Sequence, residues 1–370
     1  MRDTTSDFAA DWSGSSMMHE CSLHQISPYI GKIKSSMAGS LISKFTKRGE
    51  RILDPFAGSG TIALEGWRLG RGVIANDLSP YAYVLMKAKL FPILLLEDAL
   101  AKVDHAETCI RTGSPIIDLR KVPRWVRSFF HNDTLRETIS MANHFRSKRS
   151  HFLLSNLLGI LHHQRPGFLS FPSSHTVPYL REKRFPRQQY PELYQYRSVK
   201  DRLEKKIRRT LKRVPELDPT LERTCYKRNA ATLVLNQQVD AIVTSPPYMR
   251  QLDYGRDNRL RLWLIGESDW WSLDNNVSPS ETHFLRLIKS CLLNWNCILK
   301  PQGRCVLVLG DAYSRYYRRT LPEVVCQIAT REIGTYSLEW QYKEEIPNER
   351  RVRRDYCGSL TETILVLRNN

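Results

Sequence analysis

Two short segments carry the residue types that do chemistry. The first is Asp54-Pro55-Phe56-Ala57-Gly58-Ser59-Gly60-Thr61, which follows the apolar run Arg51 to Asp54. A backbone that passes close to a ligand needs glycines, because a Cβ would block the approach, and a carboxylate at the end of a strand can hold a ligand ammonium. The second is Asp240-Ala241-Ile242-Val243-Thr244-Ser245-Pro246-Pro247-Tyr248, an apolar strand that ends in a serine, two prolines and an aromatic ring. The prolines stiffen the loop. It can therefore hold a row of acceptors in place, the Ser245 hydroxyl and the Pro246 carbonyl, while Tyr248 stacks on a flat ring. Asp77 lies 23 residues beyond Asp54, at the end of a second apolar run, where a carboxylate can accept both hydroxyls of a ribose. Either segment alone also reads as a plain turn; their presence in one chain favours a site.

The elements that position these residues follow from the pattern around them. Ile62 to Gly70 has helical spacing of apolar residues and a glycine where a C-terminal cap belongs. Gly72 to Ala75 is then a second strand ending at Asn76-Asp77, and a helix is expected over Pro80 to Leu90. Strand, glycine turn, helix, strand and acid open a nucleotide-binding α/β sheet. The spaced G-x-G-x-x-G of dinucleotide sites is absent, and an acid beside a short Gly-x-Gly suits the amino acid part of S-adenosylmethionine (AdoMet). Strands are expected again at Arg223 to Arg228, Val239 to Thr244, Gly303 to Leu309, Tyr336 to Lys343 and Thr361 to Leu367, seven in all. Between the two groups lies a helical, basic insertion, with its clearest helices at Leu135 to Arg146, His151 to His163 and Val199 to Val214 and a Pro- and Ser-rich segment at Gln164 to Pro178. The organisation read from this is residues 1–91, a cofactor-binding half; 92–220, the insertion; and 221–370, a catalytic half.

The pair Asp-Pro-Phe-Ala-Gly-Ser-Gly-Thr and Thr-Ser-Pro-Pro-Tyr resembles the AdoMet-dependent amino-methyltransferases of DNA, which methylate exocyclic nitrogens of cytosine or adenine. His24 to Lys32 and the helix Ser36 to Phe45 resemble the segment that these enzymes place over the methionine end of AdoMet, and Tyr254 to Gly266 resembles the helix after the Ser-Pro-Pro-Tyr loop. The resemblance implies a class I AdoMet-dependent methyltransferase, a Rossmann-like α/β seven-stranded sheet with a large helical insertion. It implies cofactor contacts from Tyr29, Lys32, Asp54, Phe56, Ala57, Gly58, Gly60, Thr61 and Asp77, with Asp54 on the ammonium, Gly58 and Gly60 giving room and Asp77 on the ribose. Where a Gly-Asp-Ala is common after the third strand, this chain has Arg228-Asn229-Ala230, and the Asn229 carbonyl oxygen can take the adenine amine. Ser245, Pro246, Pro247 and Tyr248 would form the catalytic loop.

Ser-Pro-Pro-Tyr resembles the cytosine-N4 enzymes more than the adenine-N6 enzymes, which more often carry Asp or Asn in place of Ser245; adenine-N6 and RNA guanine-N2 methylation stay as alternatives. A non-catalytic AdoMet-sensing DNA-binding protein is the reading from another class. No Pro-Cys dipeptide occurs, so carbon-5 methylation of cytosine has no obvious nucleophile.

Lys and Arg total 56 against 38 Asp and Glu in the 370 residues, a net charge of +18 that points to a polyanion, with DNA the leading partner. Arg181 to Arg213 holds thirteen basic and four acidic residues, half the net charge. Phosphate contacts are expected from Arg165, Lys205, Lys206, Arg208, Arg209, Lys212 and Arg213; the alternative is a solvated helix face on a lobe that buttresses the sheet. A cognate restriction endonuclease and an orphan role are both compatible. The eight cysteines, without a Cys-x-x-Cys, read as reduced, and no metal site is expected. The apolar stretch from Leu90 to Leu96 is broken by Pro92 and is too short to span a bilayer, and the N-terminus lacks a secretory apolar region, so a cytoplasmic protein is expected.

Overall fold

The computed structural model describes residues 20–113, 116–175, 177–247, 253–277, 280–346 and 359–370. Seven strands form one sheet: β1 (Arg51–Asp54), β2 (Gly72–Asn76), β3 (Arg223–Tyr226), β4 (Val239–Thr244), β5 (Leu299–Gly310), β6 (Tyr336–Glu345) and β7 (Thr361–Asn369). All seven expected strands are present, with ends shifted by at most four residues. Their order across the sheet is β3-β2-β1-β4-β5-β7-β6. The first five are parallel, and β7 runs antiparallel between β5 and β6. Parallel strands buried on both faces read as apolar runs, and Leu53, Val73, Ile242, Val306 and Leu307 are all buried.

The first crossover is built as its sequence suggests. Gly58 and Gly60 both have positive φ, 49° and 73°, and Gly60 caps the N-terminus of the helix that follows β1 (Thr61–Arg68). At Gly66 an added Cβ would stand 2.4 Å from Ile52 Cδ1, so glycine lets this helix lie directly on β1. The helix Ser35–Phe45 precedes β1. Pro80–Leu90 follows β2, and the Ser79 hydroxyl accepts the Ala82 N–H at its start.

The insertion packs on one face of the sheet. Its helices Leu96–Gly113, Asn132–Ser147, His151–Gly159 and Val199–Leu211 bury side chains in the same apolar cluster as Ile52, Val73 and Ala241. Two of these helices end earlier than their periodicity predicts. The helix from His151 stops at Gly159, where an added Cβ would meet the Ile26 carbonyl oxygen at 2.2 Å; Ile160 and Leu161 then accept the N–H groups of Leu169 and Ser170. The helix from Val199 stops at Leu211, and just beyond it Arg213 N–H donates to the Ser22 hydroxyl at 3.0 Å while the Arg213 carbonyl accepts the Ser22 N–H at 3.1 Å. Helix Leu96–Gly113 escaped the sequence reading since it buries only Ala99, Val103 and Ala106, too small an apolar stripe to stand out. No helix among the described residues is long and apolar enough to cross a membrane.

Candidate active site

A cavity opens at the carboxyl edge of β1, β2 and β4, where ligands bind in open α/β sheets. It is lined by Asp54 to Ser59, Thr61, Asp77 to Ser79, Arg228 to Ala230, Ser245 and Pro247, and closed by Tyr29, Gly31, Lys32, Ile33, Tyr254, His283 and Leu287. Residues far apart in sequence, one group before the insertion and one after it, thus face a single space.

Asp54 ends β1 with its side chain buried, 2% exposed. Its Oδ1 accepts the Thr244 hydroxyl at 2.7 Å and the Phe56 N–H at 3.3 Å. No cation pairs with it among the described residues. Burial therefore pushes its carboxyl up to about 7, against the lowering effect of Thr244, and the nearby Asp77 adds to the rise. Asp77 Oδ2 accepts the Gly58 N–H at 2.8 Å and Oδ1 the Ser79 N–H at 2.8 Å. Its burial beneath the turn raises its carboxyl to about 6. Asp77 thus shapes the glycine turn as well as facing the cavity. Each of its oxygens keeps a second lone pair for a ribose hydroxyl.

Gly58 faces Tyr29, whose Cε1 would lie 3.0 Å from an added Cβ. The Tyr29 ring packs between Tyr81 and Tyr254, with centroids 6.0 and 6.3 Å away. Lys32 stands exposed at the rim and donates to the His24 carbonyl at 3.2 Å. Phe56 lies edge-on to Trp295, Ala57 N–H donates to the Asn76 carbonyl, and the Thr61 hydroxyl pairs with Ser59.

Two expected residues sit differently from their sequence reading. Gly60 does not line the cavity; the space its missing Cβ leaves faces Met86, 3.4 Å away on the helix after β2. Asn229 lines the cavity as expected, and its Oδ1 accepts the Ala231 N–H at 2.9 Å as it caps a short 3-10 turn, which uses one of its two lone pairs. Pro246 is buried and outside the lining, while Ser245 and Pro247 on either side belong to it. Tyr248 lies outside the described residues.

Several residues at the site were not read as site residues from the sequence. Thr244 was legible in principle, because it immediately precedes Ser245 at a strand end. Tyr254 begins the helix Tyr254–Leu264 that the resemblance pointed to. Arg228 and His283 carry no sequence signal; His283 reaches the cavity from the first turn of helix Glu281–Ile298 through tertiary packing alone.

The expected DNA contacts divide. Arg165, Lys205, Arg208, Arg209 and Lys212 are exposed. Lys206 instead donates its ammonium to the Gln25 carbonyl at 2.7 Å, and desolvation there lowers it to about 7, so packing against the N-terminal segment already occupies it. Arg213 is half-buried, and its Nε has no hydrogen-bond partner. His162 is buried, with Nδ1 2.8 Å from the Ser174 carbonyl, and does not reach the cavity.

The sheet order and the cavity at its carboxyl edge define a class I AdoMet-dependent methyltransferase fold. The D12 class N6 adenine-specific DNA methyltransferase family matches residues 29–108. The Type II methyltransferase M.BsoBI of Geobacillus stearothermophilus is 24% identical over 276 residues, 66% of this chain and 53% of that protein. The Type II methyltransferase M.MjaII of Methanocaldococcus jannaschii is 32% identical over 68 residues, 18% of this chain and 13% of that protein. The chain thus spans about half the length of the first of these relatives and a smaller share of the second. TrmN from Thermus thermophilus superposes with a TM-score of 0.37 at 14% identity, over 92% of this chain and 50% of that one. The family match and the similarity to M.BsoBI support the resemblance to AdoMet-dependent DNA amino-methyltransferases carried by the two motifs, and AdoMet is the cofactor they imply. The site fits that cofactor on its own chemistry. A buried carboxylate without a cation partner awaits an ammonium, and a second carboxylate nearby retains acceptor capacity for a diol.

Proposed function

We propose that the protein methylates an exocyclic amine of a DNA base, with cytosine N4 as the acceptor. The observation that carries this reading is the convergence of Asp54 and Asp77 with Ser245 and Pro247 on one cavity. AdoMet, when bound, supplies a methyl group activated by a sulfonium. The chain's own residues then have a positioning task. Asp54 holds the ammonium end, Asp77 the ribose, and Tyr29 and Tyr254 wall the space between sheet and helix. Ser245, at the cavity wall, holds the base amine, and Pro246 and Pro247 stiffen the loop that carries it. Its lone pair is delocalised into the ring, so acceptors that favour a pyramidal nitrogen lower the barrier, and in-line placement of nitrogen, methyl and sulfur does the rest.

Serine at position 245 supports cytosine. Adenine N6 is the second reading, favoured by the description of the matching family; that match covers residues 29–108, the cofactor half, and ends well before the loop that would touch the base. DNA is the proposed partner, and a cognate endonuclease in a restriction-modification pair is a further part of the proposal.

The test is methyl transfer from labelled AdoMet to duplex DNA, followed by digestion and mass spectrometry. N4-methylcytosine is expected. N6-methyladenine alone would overturn the cytosine reading and keep the rest. DNA binding that responds to AdoMet without any methyl transfer would identify a non-catalytic sensor instead.

A further inference from the structure

A second cavity lies beside the first, between the carboxyl edge of the sheet and the insertion. Arg146, Arg149, His151, Lys227, Glu267 and Tyr83 contribute to its wall. The two cavities are neighbours along the backbone. Ser79 lines the cofactor cavity and Pro80 the second one; Arg228 lines the first and Lys227 the second.

The charges around it are uneven. Arg146, Arg149 and Lys227 make no ion pair among the described residues, and Glu267 is the single acid in the wall. The arginines are held in place by backbone. The Arg146 guanidinium packs over Gly266, where an added Cβ would come within 2.2 Å of Nη2. Arg149 ends helix Asn132–Ser147 with φ at 51°, while Ser150 N–H donates to the Phe145 carbonyl at 2.8 Å and Arg149 N–H to the Arg146 carbonyl at 3.0 Å. This is a Schellman cap, whose left-handed position favours glycine. An arginine there carries a conformational penalty that its fold role does not explain. His151 stands edge-on to Tyr83, and burial together with the charge of Lys87 lowers its imidazole.

Three cations against one acid make a site for an anion with several oxygens. We propose that this cavity is a subsite for a backbone phosphate of the substrate DNA, next to the nucleotide that enters the cofactor cavity. The assignment rests on the DNA-methyltransferase reading above, and it is independent of the basic helix Val199–Leu211.

The experiment measures duplex DNA binding by fluorescence anisotropy across a salt series, on the full chain with S-adenosylhomocysteine, for wild type, Arg149→Gly, Arg149→Lys and Lys227→Ala. Arg149→Gly removes the cation and relaxes the backbone, so its folding is secure. Loss of one phosphate contact should lower the logarithmic salt slope by about 1 and weaken binding about tenfold at low salt, in Arg149→Gly and in Lys227→Ala alike. Arg149→Lys should keep most of the affinity. S-adenosylhomocysteine binding should be unchanged in all of them. If wild type binds DNA and the variants match it in affinity and slope, the subsite is wrong and the functional reading stands. A wild type that neither binds nor methylates DNA overturns the functional reading and this assignment with it. Competition by inorganic phosphate at constant ionic strength separates the sources. Phosphate binding that Arg149→Gly abolishes, with DNA affinity untouched, would overturn the DNA assignment in favour of a free phosphate.

Discussion

Thr244 donates its hydroxyl to Asp54 at 2.7 Å, across a sequence separation of 190 residues. The last residue of β4 thus steadies the carboxylate at the end of β1, and the next residue, Ser245, enters the same cavity. A side-chain hydrogen bond ties the segment Asp54–Thr61 to the strand that carries Ser245.

Thr244→Val keeps the branched shape and removes that bond. A hydrogen bond to a charged group contributes about 1.5 to 3 kcal/mol, so AdoMet affinity at neutral pH should fall about tenfold or more. Calorimetry on the folded variant is the measurement. Unchanged affinity would mean that Thr244 does not support the ionised Asp54.

The raised carboxyl of Asp54 sets a pH dependence. Its ordinary value is 3.8, and in the folded protein it holds its proton up to about 7. Between these values the folded state binds a proton that the unfolded chain has released, so this group's contribution to stability falls as pH rises and is lost above about pH 7. AdoMet binding runs the other way, because the ammonium needs the ionised form: affinity should rise from pH 6 to pH 8. Asp54→Asn should melt higher than wild type at pH 8, with the difference shrinking as pH falls toward the ordinary carboxyl value of 3.8, and should flatten the pH profile of AdoMet affinity. Thermal melts and titrations at several pH values check both.

Asp77 should behave differently when removed. Asp77→Ala strips an acceptor from the Gly58 and Ser79 N–H groups, and an unsatisfied buried donor costs about 1 to 3 kcal/mol. It should therefore lower the melting temperature as well as AdoMet affinity. A melting temperature equal to that of wild type would contradict the role of Asp77 in shaping the turn.

In the proposed mechanism Ser245→Ala removes an acceptor for the base amine. Methyl transfer should drop by about two to three orders of magnitude with AdoMet binding nearly intact. Tyr248→Ala should be severe and Tyr248→Phe mild, because the stacking ring is kept. Single-turnover rates at saturating AdoMet separate these cases, and wild-type rates in both alanine variants would remove the loop from the mechanism.

The basic helix makes a further prediction in which one lysine is set apart. Replacing Lys205, Arg208, Arg209 and Lys212 together by Ala should weaken binding to all DNA sequences alike and flatten the salt dependence. Lys206→Ala should act on stability instead, since its ammonium is bonded to the Gln25 carbonyl. A calorimetric melt and a salt titration distinguish the two, and an unaltered salt slope in the quadruple variant would leave that helix a solvated face.

Much of the fold was legible because its signals are local. Buried parallel strands are apolar runs, the turn after β1 needs glycines at positive φ, and the acids at 54 and 77 end strands. Helix ends were less legible. The helices that end at Gly159 and Leu211 meet the Ile26 carbonyl and the Ser22 backbone and hydroxyl there, partners distant in the chain. Helix Leu96–Gly113 was missed because its buried face is mostly alanine.

The sequence by itself determined that Asp54, Asp77 and Ser245 stand at strand ends, where all three line the cavity, because residue type and local pattern suffice for that. Tertiary structure decided what surrounds them. It turned Gly60 toward Met86, gave the Asn229 oxygen a backbone N–H, bonded Lys206 to the Gln25 carbonyl, and brought His283 to the cavity. Each of these depends on an element distant in sequence or on a competing hydrogen bond, and a linear pattern of residue types records neither.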